Sequence, residues 1–300
     1  MEKMATQSVM ATTFMGMVLA GPLCGRLVGQ QTEPYGGKNY KEWFLNPDYP
    51  DSLKRLKAYE LLEALKQSLK DHPKSSQNPA EAYPNVAFLA APDGRWRTLT
   101  FTVHFSDGHY EHFGLLETFL RGRSKGVVWQ LNDKSHEIQN PLQRVLGPSN
   151  WFGAIYYGVR PMGRKRYLLL GLNMHNNRSR IKVADPLYFD QKGWPKWGAP
   201  VIKHGNKIYH RFLLEYYAEA SVRLNWDERL RMIVYDHLTP LAPAGRGNSS
   251  LYVPDGSYNG LKLKGRTWEI VEDVDARNPK DRPIRTQKPV EKGLFPPEKP

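Results

Sequence analysis

Two histidines and a glutamate, His104, His109 and Glu111, are spaced to share one face of a β-hairpin. Between them lies Asp107-Gly108, a two-residue turn signal, because a type I′ turn needs positive φ at both central positions. Centring the turn there pairs Ser106 with His109, Phe105 with Tyr110 and His104 with Glu111. His104, His109 and Glu111 then join Thr100 and Thr102 on the wet face. Leu99, Phe101, Val103, Phe105 and Tyr110 face the core. Two imidazoles and a carboxylate form a zinc set with one position open for water. The alternative is a solvated polar strand face.

A second grouping is Asp255-Gly256-Ser257-Tyr258-Asn259-Gly260. Asp255, Ser257 and Asn259 place oxygens at positions one, three and five, with Gly at six, as in a calcium loop. Leu263 and Arg266 occupy positions nine and twelve, so the usual bidentate Glu is missing. The alternative is a turn in which Asp255 and Asn259 bond their own backbone. A third grouping is acid–base: Asp236-His237 ends the run Met232-Ile233-Val234-Tyr235, with Asp255, Asp273 and Asp275 further on. Strand ends and loops are where sites tend to sit, and paired carboxylates serve glycoside hydrolysis at defined separations. Otherwise Asp236 caps a turn and His237 packs on the loop. No Gly-x-Ser-x-Gly, phosphate-cradling glycine loop or dinucleotide fingerprint occurs. Their absence counts against the commonest hydrolases, kinases and dehydrogenases.

The 300 residues carry a formal charge of +13, with 40% hydrophobic and 12% aromatic residues. That is enough apolar matter for a core. One cysteine, Cys24, excludes a disulfide framework and a multi-cysteine metal site. Basic clusters recur at Arg121/Arg123/Lys125, at Arg160/Arg164/Lys165/Arg166 and at Arg178/Arg180/Lys182. Trp194, Trp197, Tyr209 and Tyr216 interleave with them and can stack on sugars or bases.

Residues 1–29 read as an export signal: Lys3, then an apolar stretch from Val9 to Leu23 that is too short for a good span. The rivals are a lipidated Cys24 and a retained anchor or misread start. No transmembrane segment is expected after it. The expected address is periplasmic or extracellular, with outer-membrane association as a variant. Partners are then an envelope protein or an anionic envelope glycan, and not nucleic acid.

The elements that must position these residues follow from periodicity. Segment 30–84 is irregular apart from an amphipathic helix at 51–71, capped by Asp51 or Ser52, whose Leu53, Leu56, Leu61, Leu65 and Leu69 face inward. Residues 85–275 form one β-rich domain, with strands at about 86–91, 95–105 and 109–117. Further strands are expected near 151–160, 165–174, 180–189, 199–204, 207–218, 220–225, 229–237, 258–263 and 266–272. Gly205-Asn206 should set Lys203 against Ile208 and Ile202 against Tyr209. The fold class is α+β, predominantly β: an antiparallel meander forming a sandwich or open barrel. Residues 276–300, rich in Pro and Lys, are extended or disordered.

Several segments carry a joint signature: Asp133-Lys134-Ser135-His136-Glu137-Ile138, Trp151-Phe152-Gly153-Ala154-Ile155-Tyr156-Tyr157, Ile233-Val234-Tyr235-Asp236-His237-Leu238-Thr239-Pro240 and Tyr252-Val253-Pro254-Asp255-Gly256. Across residues 85–278 the chain resembles a group of exported Bacteroidota proteins of unknown function. The resemblance implies export and a continuous β-rich domain, and it supplies no mechanism. Here Leu172-Asn173-Met174-His175-Asn176 stands where such proteins often carry Gly-Trp-Asp-Gly-Asn.

The sequence therefore leads to a non-enzymatic envelope binding or assembly module with a basic, aromatic-bearing surface. That surface would draw on Arg164, Lys165, Arg166, Arg178, Arg180, Trp194 and Trp197. No cofactor is expected, with zinc or calcium as the exceptions above. The rival is a metal- or carboxylate-dependent hydrolase of envelope glycan, which would need converging ionisable groups in a concave site.

Overall fold

A computed structural model describes residues 40–74, 76–119, 126–163 and 165–276. The expected export signal, Cys24, the basic loop at Arg121, Arg123 and Lys125, Arg164 and the tail beyond residue 276 lie outside the described residues.

Two helices open the described chain. Helix α1 (Tyr40–Leu45) lies in a segment expected to be irregular. Tyr40 and Phe44, one turn apart, both bury, and Phe44 stacks on Phe101 with centroids 5.5 Å apart. Helix α2 (Asp51–Asp71) has the expected bounds. Its buried stripe differs. It runs Lys54, Ala58, Leu61, Leu65 and Leu69, while Leu56 is 55% exposed. Leu56 lies two residues beyond Lys54, about 200° around the helix, so only one of them can face the sheet. Lys54 buries its stem and donates from Nζ to the His104 carbonyl (2.9 Å).

Nor does Asp51 cap the helix. The N-cap is Pro50, and the Asp51 carboxylate instead accepts from the Ser106 N–H (3.0 Å) and hydroxyl (2.6 Å). At the other end Arg97, fully buried, donates to the carbonyls of Leu69 (3.2 Å) and His72 (2.5 Å). These are carbonyls that the helix itself leaves unpaired.

Fifteen strands follow among the described residues. The first four are β1 (Ala87–Ala90), β2 (Trp96–His104), β3 (Tyr110–Thr118) and β4 (Val127–Asn132). The next four are β5 (Ile155–Pro161), β6 (Arg166–Asn173), β7 (Ser179–Phe189) and β8 (Pro195–Trp197). Then come β9 (Ile202–His204), β10 (Lys207–Tyr209), β11 (Phe212–Tyr217) and β12 (Leu224–Asp227). The last are β13 (Met232–Pro240), β14 (Tyr252–Lys264) and β15 (Thr267–Val271).

They form three sheets. The first is the meander β1-β2-β3-β4. The second is β11-β7-β6-β5, with β8 also on β7. The third is β10-β9-β15-β14-β13-β12. Strands β9 and β15 run parallel, and all other pairs are antiparallel. The described residues are thus predominantly β, with no closed barrel among them, consistent with an α+β sandwich.

Three cores stack in series. The helices cover one face of the first sheet through Leu61, Leu65, Phe101 and Phe113. The other face packs on the second sheet through Trp96, Leu116, Leu131 and Val183. The far face of the second sheet packs on the third through Leu168, Leu170, Ile233 and Leu261. This explains the run Leu168-Leu169-Leu170, all at 3% exposure or less: a strand covered on both faces needs no polar alternation.

Two expectations about register resolve differently. Around Gly205-Asn206, Lys203 faces Ile208 and Ile202 faces Tyr209, as the turn chemistry implied. At the tip of β2–β3 the register slips by one: His104 pairs with Tyr110 and Val103 with Glu111. The loop has three residues, Ser106-Asp107-Gly108, and Gly108 takes φ +85°. A one-residue slip sends every later side chain to the opposite face. The expected strand at 207–218 is also broken. Lys207–Tyr209 returns to β9 in the third sheet, and Phe212–Tyr217 crosses to β7 in the second.

Candidate functional site

The slipped hairpin disperses the zinc set expected from sequence. Glu111 shares its face with Val103 and pairs with Arg55 (2.5 Å). His104 stacks on Tyr110, with centroids 4.4 Å apart, and its Nε2 bonds Asn177 Oδ1 (2.9 Å). His109 sits past the loop, with Nδ1 on the Asp107 carboxylate. Hydrogen bonds from the His109 backbone and side chain hold that carboxyl below its ordinary value.

A different grouping replaces it. His104, His109, His112, His136 and His175, five of the nine histidines, gather where three segments meet. These are the β2–β3 tip, the stretch 133–138 after β4, and the β6–β7 turn at 174–178. Backbone bonds join the tip to the turn: Tyr110 N–H to His175 O (3.0 Å) and Asn177 N–H to Gly108 O (3.0 Å). His175 is held at φ 48°.

At the base lies a buried pair. His112 Nδ1 donates to Asp133 Oδ2 (2.7 Å), and both side chains are at most 2% exposed. Met174 N–H donates to His112 Nε2 (3.0 Å), which fixes the ring as the neutral Nδ1–H tautomer with both nitrogens occupied. Burial raises the Asp133 carboxyl, but the bonds from His112 and Ser135 outweigh it and hold it at about 2. Above the pair, Arg55, Asp107, His109, Glu111, Lys134 and His136 line much of a cleft of about 520 Å³.

The acid–base and calcium candidates come together in part. His237 Nδ1 lies 2.7 Å from Asp255 Oδ2, and both line a shallow pocket of about 310 Å³ with Ser257, Asn259, Glu272 and Asp273. Asp255 also accepts from the Ser257 N–H (2.9 Å) and hydroxyl (2.7 Å). Those bonds, led by the Ser257 hydroxyl and backbone and joined by His237, draw its carboxyl down to about 2. The serine proton goes to a carboxylate and not to the imidazole, so the three do not form a nucleophile relay. Asn259 Oδ1 is taken by the Asp273 N–H (3.1 Å). Asp236 turns away: its Oδ2 accepts the Arg223 N–H (2.6 Å), and burial raises its carboxyl. Successive side chains of a strand point to opposite faces, which separates Asp236 from His237. Among the described residues, no group of three or more His, Cys, Asp or Glu is set to hold a metal ion.

The basic and aromatic candidates do not share one surface. Lys165 and Arg166 sit at the start of β6, and Arg178 and Arg180 follow the turn at its far end. Arg180 is occupied by the Ala218 carbonyl (2.8 Å) and Met174 Sδ (3.1 Å). Trp197, 1% exposed, belongs to the core between the first two sheets, because its short strand pairs with β7 and turns it inward. Trp194 is 51% exposed and lies 5.2 Å from Trp129, centroid to centroid. Its turn is braced by hydrogen bonds: Asp190 Oδ1 accepts from the N–H of Lys192 (2.9 Å) and of Trp194 (2.9 Å).

Sequence reasoning missed His112, Asp133, His136 and His175 as a group. The stretch 133–138 and the turn at 172–176 were each distinctive, but only the stacking of two sheets brings them together. Among the described residues no helix is long and apolar enough to cross a membrane. Compared with protein-family models, with curated proteins and with solved structures, the chain matches none.

Proposed function

We propose that this chain is a non-enzymatic binding module of the bacterial cell envelope, and that it takes an anionic glycan on the Trp129–Trp194 surface. The leader-like residues 1–29 and the resemblance over residues 85–278 support the address. The single observation that carries the binding reading is Trp194: a large ring, half exposed, fixed by the Asp190 turn against a second tryptophan. A rigid exposed aromatic surface loses little entropy when it stacks on a sugar face. Lys192 in the same turn and Lys196 two residues beyond supply positive charge for carboxylates or phosphates on the glycan.

The hydrolase reading is less well supported. The expected acid–base candidates are already bonded: His237 with Asp255, and Asp236 with the Arg223 backbone, while the buried His112 is bonded to Asp133. Calorimetric titration with lipopolysaccharide and with peptidoglycan fragments tests the proposal. Trp194→Ala should weaken the interaction about fivefold or more, in line with the roughly 1–3 kcal/mol that one aromatic stacking contact contributes. Unchanged binding in that variant would overturn it.

A further inference from the structure

The exposed side of the histidine cluster has a geometry of its own. His136 and His175 rings lie 5.2 Å apart, centroid to centroid, and His109 and His136 lie 5.7 Å apart. Two imidazoles on one tetrahedral metal, at Zn–N of about 2.0 Å, bring their centroids to roughly 5 Å. Two of these rings have one nitrogen tied to an acceptor. His109 Nδ1 is on the Asp107 carboxylate, and His136 Nε2 is on the Tyr110 carbonyl (3.4 Å). A carboxylate or carbonyl behind a histidine is what orients an imidazole ligand and raises its basicity. That leaves His109 Nε2 and His136 Nδ1 available.

The backbone is set in advance. The bonds from Tyr110 to His175 and from Asn177 to Gly108 fix the hairpin tip against the turn. His175 sits at φ 48°, in the left-handed region that histidine tolerates better than most non-glycine residues. The rings themselves are not converged: His136 and His175 stack at 15°, and no three donors among the described residues form a ready metal group. Turning exposed His136 about its side-chain torsions, which gives up its 3.4 Å bond to the Tyr110 carbonyl, is the movement required.

We propose that His109, His136 and His175 form a site for a borderline divalent transition metal, zinc or copper, with at least one position open. Neutral imidazoles suit these ions and disfavour calcium or magnesium. The site lies apart from Trp194, so its failure would leave the glycan reading standing.

The test titrates ZnCl2 into the EDTA-treated, dialysed full chain by calorimetry. One saturable site is expected, weakened at least tenfold in His136→Ala and in His175→Asn, the latter because asparagine tolerates the left-handed backbone. His237→Ala, on the third sheet, should leave the affinity unchanged. Equal thermal midpoints in EDTA show that the variants fold, and Co2+ in place of Zn2+ should give a visible absorption band that His136→Ala abolishes. Absence of saturable binding, or equal affinity in wild type and His136→Ala, overturns the site.

Discussion

The Nδ1–H of His112 points at Asp133 Oδ2 from 2.7 Å inside the seam between the first two sheets. The same carboxylate accepts from the backbone N–H of His112 (2.9 Å), Ser135 (2.8 Å) and Gly153 (3.2 Å). One side chain thus ties β3, the stretch after β4 and the approach to β5, while His112 Nε2 secures Met174 beyond β6. Gly153 is required there, because a Cβ would overlap the carboxylate.

Asp133→Ala leaves several buried donors without a partner, each costing about 1–3 kcal/mol. The expected loss is about 3 kcal/mol or more in denaturant unfolding. Gly153→Ala should also destabilise, by pushing the same carboxylate aside. A change within 0.5 kcal/mol for both would mean that the knot does not hold the seam.

Two carboxyls set opposite pH dependences. Asp133 is held at about 2 against an ordinary 3.8, so its contribution is full above 3.8 and fades as pH falls toward 2. Burial among apolar side chains lifts Asp185 to about 6, despite Arg211 beside it. Its native form keeps the proton longer than the unfolded chain does, so its contribution is full below 3.8 and is lost as pH rises toward 6. Unfolding midpoints from pH 2 to 7 should show Asp133→Asn flattening the acid limb. In Asp185→Asn the decline between about pH 4 and 6 should disappear.

Arg211 Nε lies 3.2 Å from Asp185 Oδ1, with neither side chain exposed. Arg211 also donates to the Pro141 carbonyl. Removing one partner strands the other, so Arg211→Met should cost about 3–5 kcal/mol. The pair Arg211→Met with Asp185→Leu should cost much less than the sum of the singles, and a double-mutant cycle reads the difference. Strict additivity would contradict a coupled pair.

Arg97 bonds Glu117 (2.7 Å) and the carbonyls of Leu69, His72, Lys74 and Gln77. A lysine has one compact donor head and cannot span them. Arg97→Lys should therefore cost about 2 kcal/mol or more. It should also speed amide exchange in the last turn of α2 while sparing the third sheet. Unchanged exchange there would argue against a capping role.

What could be read from the sequence was local. Helix α2 and the Lys203–Ile208 register rest on periodicity and on a two-residue turn. The β2–β3 register could not be fixed that way, since Asp107-Gly108 serves a two-residue or a three-residue loop equally and Gly108 adopts positive φ in both. Trp194 and Trp197 look alike in sequence, but strand β8 pairs with β7 and turns one inward while the other stays outside. His112, His136 and His175 meet only because the first two sheets stack, and no spacing along the chain encodes that contact.

Titrating lipopolysaccharide into wild type and Trp194→Ala, with His237→Ala as the surface control, tests the central claim most directly. The account predicts saturable binding that weakens about fivefold or more in Trp194→Ala alone, with the unfolding midpoint of that variant unchanged. Equal affinity in all three proteins, or loss in the control as well, would contradict it.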